Sequence, residues 1–369
     1  MNLSRREFLK AAAAVGIVGA EFSALKKTLA GPGDAPVIWL QGQGCTGCSV
    51  SFLNSVYYAT VDELLLNTIS VEYHNNIMAS AGDMALSSAS VARPSPIEFA
   101  GLSEEWLATG TALNYDLNND QKINNLDYAL LARRGYVLVV EGAIPTGSAG
   151  LFCTVGDLPL IDALRTFASN AGTIIALGTC ASYGGLSAGA PNPTSAKSVK
   201  DALTFLGISK PVVNIPGCPT HPDWLVGTIS YLLVNGHAPT LDANGRPTDY
   251  FGQTVHSHCP NLSDYNARFA NARHHATDNN GCLRSGCHAN TDSAIPTPRI
   301  LGGSGCLYAL NCKGRITYSD CPSRKWNNPA KGAVGVNWCI ESKAPCHGCT
   351  QPTFPDGMKP FFPLTGTGV

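Results

Sequence analysis

Fourteen cysteines, nine of them crowded between Cys259 and Cys349, constrain this 369-residue chain more than any other feature. Thiols at that density serve disulfides or metal, and their spacing and the elements that carry them decide which. The N-terminus bears on the choice. Ser4-Arg5-Arg6-Glu7-Phe8-Leu9-Lys10 precedes an apolar stretch from Ala11 to Ala20, and paired arginines before a mildly apolar segment mark twin-arginine export. As a helix the stretch rises about 15 Å, half of a bilayer core, so it is too short for an anchor. Thr28-Leu29-Ala30 offers a cleavage site, which makes 1–30 a signal peptide. The twin-arginine route carries folded proteins, which suits a chain loaded with metal before it leaves the cytoplasm. No later apolar run reaches the ~18 residues of a span. The expectation is a periplasmic protein with no transmembrane helix in its mature part.

The first half alternates short apolar runs with helical patterns. Val37–Leu40, Tyr136–Val140, Thr173–Leu177 and Val212–Ile215 read as buried parallel strands. Helical stretches are expected at Ser49–Leu66, Leu158–Ala168, Ala196–Leu206 and Trp224–Leu233. Such alternation implies a doubly wound α/β sheet, and these sheets bind ligands beyond the carboxyl ends of their strands. Cys45, Cys48, Cys180 and Cys218 each follow a strand closely. Four thiols from three loops therefore converge on one sheet edge, as a [4Fe–4S] cluster or an all-cysteine zinc site requires.

From about Asp249 regular periodicity fades. Val255-His256-Ser257-His258-Cys259 places a His and a Cys three apart, and Cys306 and Cys312 add two thiols. Cys321, Cys339, Cys346 and Cys349 make a further complete ligand set, with Cys321-Pro322 repeating the Cys-Pro step found beside ferredoxin-type ligands. Metal sites should hold this region together as much as a core does.

These segments, with Val139-Val140-Glu141-Gly142-Ala143-Ile144-Pro145, Gly178-Thr179-Cys180 and Gly217-Cys218-Pro219 in order, resemble the small subunit of a nickel–iron hydrogenase over nearly the whole mature chain. The resemblance implies a flavodoxin-like doubly wound parallel sheet (residues 31–245) followed by an irregular iron–sulfur cluster domain (246–369). It implies a proximal [4Fe–4S] cluster on Cys45, Cys48, Cys180 and Cys218, and a distal one on His256, Cys259, Cys306 and Cys312. It assigns Cys321, Cys346 and Cys349 to a medial cluster. Many family members carry Pro where this chain has Cys339, which leaves three thiolates and a three-iron cluster. A fourth thiolate allows a fourth iron, so the expectation here is three [4Fe–4S] clusters. The implied reaction is reversible oxidation of dihydrogen at a nickel–iron centre held only by a separate large subunit. Electrons would leave through the clusters to an acceptor such as a c-type cytochrome or a membrane subunit.

Two insertions depart from the family pattern. The first, 82–134, contains Asp116-Leu117-Asn118-Asn119-Asp120-Gln121-Lys122-Ile123-Asn124-Asn125-Leu126-Asp127. Oxygen ligands at the spacing of Asp116, Asn118, Asp120, the Lys122 carbonyl and Asp127 fit a calcium loop, although Gln121 stands where such a loop prefers Gly. The second, 266–299, carries Cys282 and Cys287, whose spacing suits a local disulfide formed after export. Cys153 is left over as a buried free thiol. The composition narrows the alternatives. A net charge of −1 gives no footprint for nucleic acid. Only 14% of residues are charged against about 25% in an average soluble protein, which points to a large subunit interface. A quinone reductase subunit would account for the first half alone. A free-standing carrier would not need so long a scaffold, and a zinc-stapled protein would be colourless.

Overall fold

The computed structural model describes residues 35–67, 69–74, 136–270 and 305–362. The signal peptide, the calcium-loop residues 116–127, Cys282 and Cys287 lie outside the described residues, as does the second insertion beyond Ala270. Five strands form one sheet: β1 (Ala35–Gln41), β2 (Ile69–His74), β3 (Val137–Glu141), β4 (Thr173–Leu177) and β5 (Val212–Ile215). Their spatial order is β2-β1-β3-β4-β5 and every pair is parallel. This is the flavodoxin-like order, in which the winding reverses between β1 and β3 and opens a crevice at the carboxyl ends of those two strands.

Helices α1 (Gly47–Leu53), α2 (Val61–Asn67), α3 (Leu160–Asn170), α4 (Gly178–Tyr183), α5 (Val199–Phe205) and α6 (Pro222–Asn235) connect or follow the strands. Because strand side chains alternate between faces, a sheet covered on both sides needs apolar residues at every position. Ile38, Leu40, Leu138, Val140, Ile174 and Ala176 share one core with Leu164 and Phe167 of α3 and Leu203 of α5. Val37, Trp39, Val139, Ile175, Leu177 and Val213 share the other with Phe52 of α1, Leu64 of α2 and Trp224 and Ile229 of α6.

Two helices differ from their sequence reading. The stretch 49–66 is broken: α1 stops at Leu53, where Asn54 Nδ2 donates to the Val50 carbonyl at 2.8 Å. A second helix starts after Thr60, whose backbone N–H donates to Glu63 Oε2 at 3.2 Å, one arm of a capping box. Ala196 and Lys197 pair antiparallel with Ile144 and Pro145, and α5 begins only after Ser198, whose hydroxyl accepts from the Asp201 N–H at 3.0 Å. Strand β2 was not expected.

In the second half α7 (Leu262–Ala270) is followed by short turns and a four-residue helix, Cys321–Arg324. Its own core is small: Val255, Leu307, Leu310, Trp338, Ile340 and Cys346. The two halves are joined by buried polar contacts. Trp224 Nε1 donates to Asp320 Oδ1 at 2.7 Å, and Arg324 pairs with Asp320 at 2.8 Å and with the fully buried Asp223 at 3.1 Å. Burial raises Asp223 to about 6 and Arg324 opposes that rise. Removing the guanidinium strands two carboxylates in a desolvated site. Arg324→Met should therefore cost about 3–5 kcal/mol of stability, the range for one partner lost from a buried pair. Thermal and denaturant unfolding of the metal-loaded protein checks this, and a loss below ~1 kcal/mol, the size of an exposed pair, would contradict it.

Candidate functional site

The crevice between β1 and β3 is built around a buried carboxylate. Glu141 ends β3, and its Oε1 accepts the N–H groups of Cys48 at 3.0 Å and Ser49 at 3.1 Å. Its Oε2 accepts Trp39 Nε1 at 3.2 Å and the Ser49 hydroxyl. Thr46, in left-handed backbone at φ 62, makes no side-chain cap to α1, so a carboxylate from the neighbouring strand satisfies the helix's first N–H groups instead. Ser49 Oγ also meets His74 Nε2 at 3.2 Å, and burial lowers that imidazole to about 4. The result fixes the turn that carries Cys45 and Cys48.

Cys180 lies in the first turn of α4 and Cys218 follows β5. Cys48 and Cys218 lie within electrostatic reach of each other and of Cys180, and Cys218 also of Cys45. Burial raises the Cys48 thiol, then Glu141, and the neighbouring Cys180 and Cys218 raise it further. Burial lifts Cys218 to about 11, with Cys180 and Cys45 adding to it. Backbone packs closely against Cys48: a Cβ on Gly178, at φ +82, would stand 2.5 Å from Cys48 Sγ. Cys45 is exposed at this edge, and so are Val50, Leu53, Leu151, Phe152 and Leu186 on neighbouring turns.

In the second half Cys321, Cys339 and Cys349 form a mutually coupled group. Burial raises Cys349, with the charges of Cys321 and Cys339 following. Cys321 is pushed up to about 12 by burial, eased by the Ser319 hydroxyl that donates to its sulfur at 3.1 Å. Cys346 is raised by burial and then by Cys312 and Cys349, which places it between this group and the next. His256, Cys259, Cys306 and Cys312 all line one pocket, with Tyr265, Tyr308 and Arg315 also on its walls. Burial and then the Arg315 cation lower His256, so the imidazole is neutral, the form that binds metal. The Tyr265 ring stands edge-on to it at 4.4 Å, beneath the Arg315 guanidinium at 5.5 Å.

The structure thus brings Cys48, Cys180 and Cys218 near one another, Cys321, Cys339 and Cys349 near one another, and His256, Cys259, Cys306 and Cys312 onto one pocket. Glu141, Ser49, His74 and Thr179 carried no role in the sequence reading. The signal for Glu141 was an acid ending an apolar strand. The donor chemistry fits iron–sulfur clusters. The twelve described cysteines, Cys153 included, are free thiols rather than disulfides. Among the described residues no three His, Cys, Asp or Glu side chains close on one metal-ion position.

A flavodoxin-like sheet with thiols beyond the carboxyl ends of its strands and a cysteine-dense second half suits the class of iron–sulfur electron-transfer proteins. The family model for the NADH ubiquinone oxidoreductase 20 kDa subunit matches residues 45–232, and that for the C-terminal part of NiFe/NiFeSe hydrogenase small subunits matches residues 292–362. The periplasmic nickel–iron–selenium hydrogenase small subunit of Desulfomicrobium baculatum is 37% identical, over 98% of this chain and 99% of the relative. The periplasmic nickel–iron hydrogenase small subunit 1 of Nitratidesulfovibrio vulgaris is 34% identical, over 98% and 93%. The crystal structure of the reduced, active Ni-Fe-Se hydrogenase of Desulfomicrobium baculatum aligns with a TM-score of 0.65 at 35% identity, covering 89% of this chain and 99% of that one. The chain belongs to the nickel–iron and nickel–iron–selenium hydrogenase small subunits, the electron-transfer subunits of those oxidoreductases. The second family match separates it from the quinone reductase subunits that share only its first half.

The tight fit at Gly178 yields a direct check. Gly178→Ala should displace Cys48 and lose one cluster's worth of iron, with the remaining iron retained. Iron analysis of the purified protein measures this, and full iron content would contradict the placement of Cys48.

Proposed function

We propose that this chain relays electrons from dihydrogen oxidation at a large-subunit nickel–iron centre, through three [4Fe–4S] clusters, to an external acceptor. Iron–sulfur clusters, when bound, take up and release single electrons at potentials set by their surroundings. Cys45, Cys48, Cys180 and Cys218 would hold the proximal cluster. The exposed apolar side chains around Cys45 make that edge the surface for the large subunit. Cys321, Cys339, Cys346 and Cys349 would hold the medial cluster. His256, Cys259, Cys306 and Cys312 would hold the distal one, facing an acceptor such as a c-type cytochrome or a membrane subunit. His256 contributes a neutral donor in place of a thiolate, which makes that site less negative and favours the reduced form. Buried thiols raised by desolvation hold their protons until metal displaces them.

The second half carries this reading, because the first half alone would suit a quinone reductase subunit equally well. Export by the twin-arginine route to the periplasm belongs to the same proposal. Among the described residues no helix is long and apolar enough to cross a membrane. Residues 116–127 as a calcium loop and Cys282–Cys287 as a disulfide are proposed from sequence alone. Calorimetric titration with Ca²⁺ and thiol counting of the exported protein test them.

The native complex should contain nickel in a co-purifying subunit, and a preparation without one would overturn the proposal. Cys339 decides the cluster count. An oxidised [4Fe–4S] cluster is silent in electron paramagnetic resonance, whereas an oxidised three-iron cluster is not. The intact oxidised complex should show no stoichiometric three-iron signal, and Cys339→Pro should create one. A full-strength signal before mutation would remove Cys339 from the ligand set.

A further inference from the structure

Thr179 is 2% exposed and sits immediately before Cys180. Its hydroxyl accepts the Gly217 N–H at 2.9 Å and donates to the Cys349 carbonyl. Its own backbone N–H donates to the Gly217 carbonyl at 2.9 Å. One side chain therefore ties together three segments of chain, each bearing a cysteine: Thr179-Cys180, Gly217-Cys218 and Cys349. The first two belong to the proximal site and the third to the medial site.

The chemistry at this point selects a hydroxyl. Gly217 N–H can only donate and the Cys349 carbonyl can only accept, so the group between them must do both, and among side chains of this size only Ser and Thr can. Branching at Cβ restricts χ1 and holds the hydroxyl in place. The neighbouring backbone cannot readily shift to compensate. Gly217 is at φ +153, and a Cβ there would stand 2.6 Å from Thr220 Cα and 2.7 Å from the Pro219 carbonyl oxygen. A second contact crosses the same gap, from the Cys218 backbone N–H to the Cys349 sulfur. The junction between the medial and distal sites has a backbone counterpart, where Lys313 N–H donates to the Cys346 carbonyl at 2.7 Å. There a hydroxyl is also present, that of Thr317, which donates to the Lys313 carbonyl at 2.7 Å.

We infer that Thr179 is a positioning residue that sets the gap between the proximal and medial clusters, and so the electronic coupling across it. The inference rests on the ligand assignment proposed above. Electron tunnelling weakens steeply with distance, so a joint that fixes two ligand loops to one oxygen atom governs that step directly. Thr179→Val keeps the shape and removes both hydroxyl hydrogen bonds, whereas Thr179→Ser keeps them.

The test uses the native complex carrying each variant, with iron content measured first. Reduced [4Fe–4S] clusters are paramagnetic, and the splitting between neighbouring reduced clusters reports their separation and coupling. Thr179→Val should shift or lose the proximal–medial splitting and slow electron transfer between those two clusters in freeze-quench experiments. Thr179→Ser should restore both. If Thr179→Val lowers iron instead, loss from the proximal and medial sites together, rescued by Thr179→Ser, supports the same joint. A Thr179→Val complex with full iron and with unchanged splitting and transfer rate would overturn the inference. Equal failure of the Ser and Val variants would also overturn it. A wild-type complex lacking either cluster would instead refute the ligand assignment.

Discussion

Every part of this structure answers to the need to hold four ligand atoms, drawn from loops far apart in sequence, around a space that a charged metal cluster can occupy. Thiols in a desolvated pocket resist ionisation: Cys48, Cys346 and Cys349 are all pushed upward by burial before any neighbour is considered. Their sulfurs repel one another further once charged. The fold must therefore supply the geometry in advance, and it does so with backbone. The parallel sheet sets the spacing of β1, β4 and β5, whose following turns present Cys45, Cys48, Cys180 and Cys218. The reversal between β1 and β3 opens the crevice in which Glu141 clamps the turn around Cys48.

The second half solves the same problem with far less core. Six buried residues centre on Val255, Leu310 and Trp338, and much of the remaining chain is short turns. Such a region depends on what it leans against. Asp320, beside Cys321, receives the Trp224 indole and the Arg324 guanidinium, and buried Arg246 donates to the Thr350 carbonyl beside Cys349 while pairing with Asp242 at 2.7 Å. Two of the contacts between the halves thus end beside cysteines, so the packing of the halves helps to place the loops that carry Cys321 and Cys349.

Much of this was legible from residues alone. Apolar runs bounded by turn residues located β1, β3, β4 and β5, because strands buried on both faces are mostly apolar. Cysteines just beyond strand ends located the first site for the same topological reason. Strand β2 escaped because Ser70 and Glu72 interrupt its apolar pattern, as an edge strand permits. The break between α1 and α2 was written in Thr60-Val61-Asp62-Glu63, a capping signature that the apolar periodicity of 49–66 concealed. Glu141 and Thr179 could be seen as residues but not as a helix clamp or a joint. Those roles depend on partners 38 to 170 positions away in sequence, and a single sequence does not state such pairings.

The central claim is that these thiol groups form one continuous electron path fed by hydrogen. The most direct measurement is the visible absorbance of the anaerobic native complex as hydrogen is admitted. Iron–sulfur clusters in this chain should bleach under hydrogen, and colour should return when an oxidised acceptor is added. A complex whose iron–sulfur absorbance does not change under hydrogen, or that carries no such absorbance, would contradict the account.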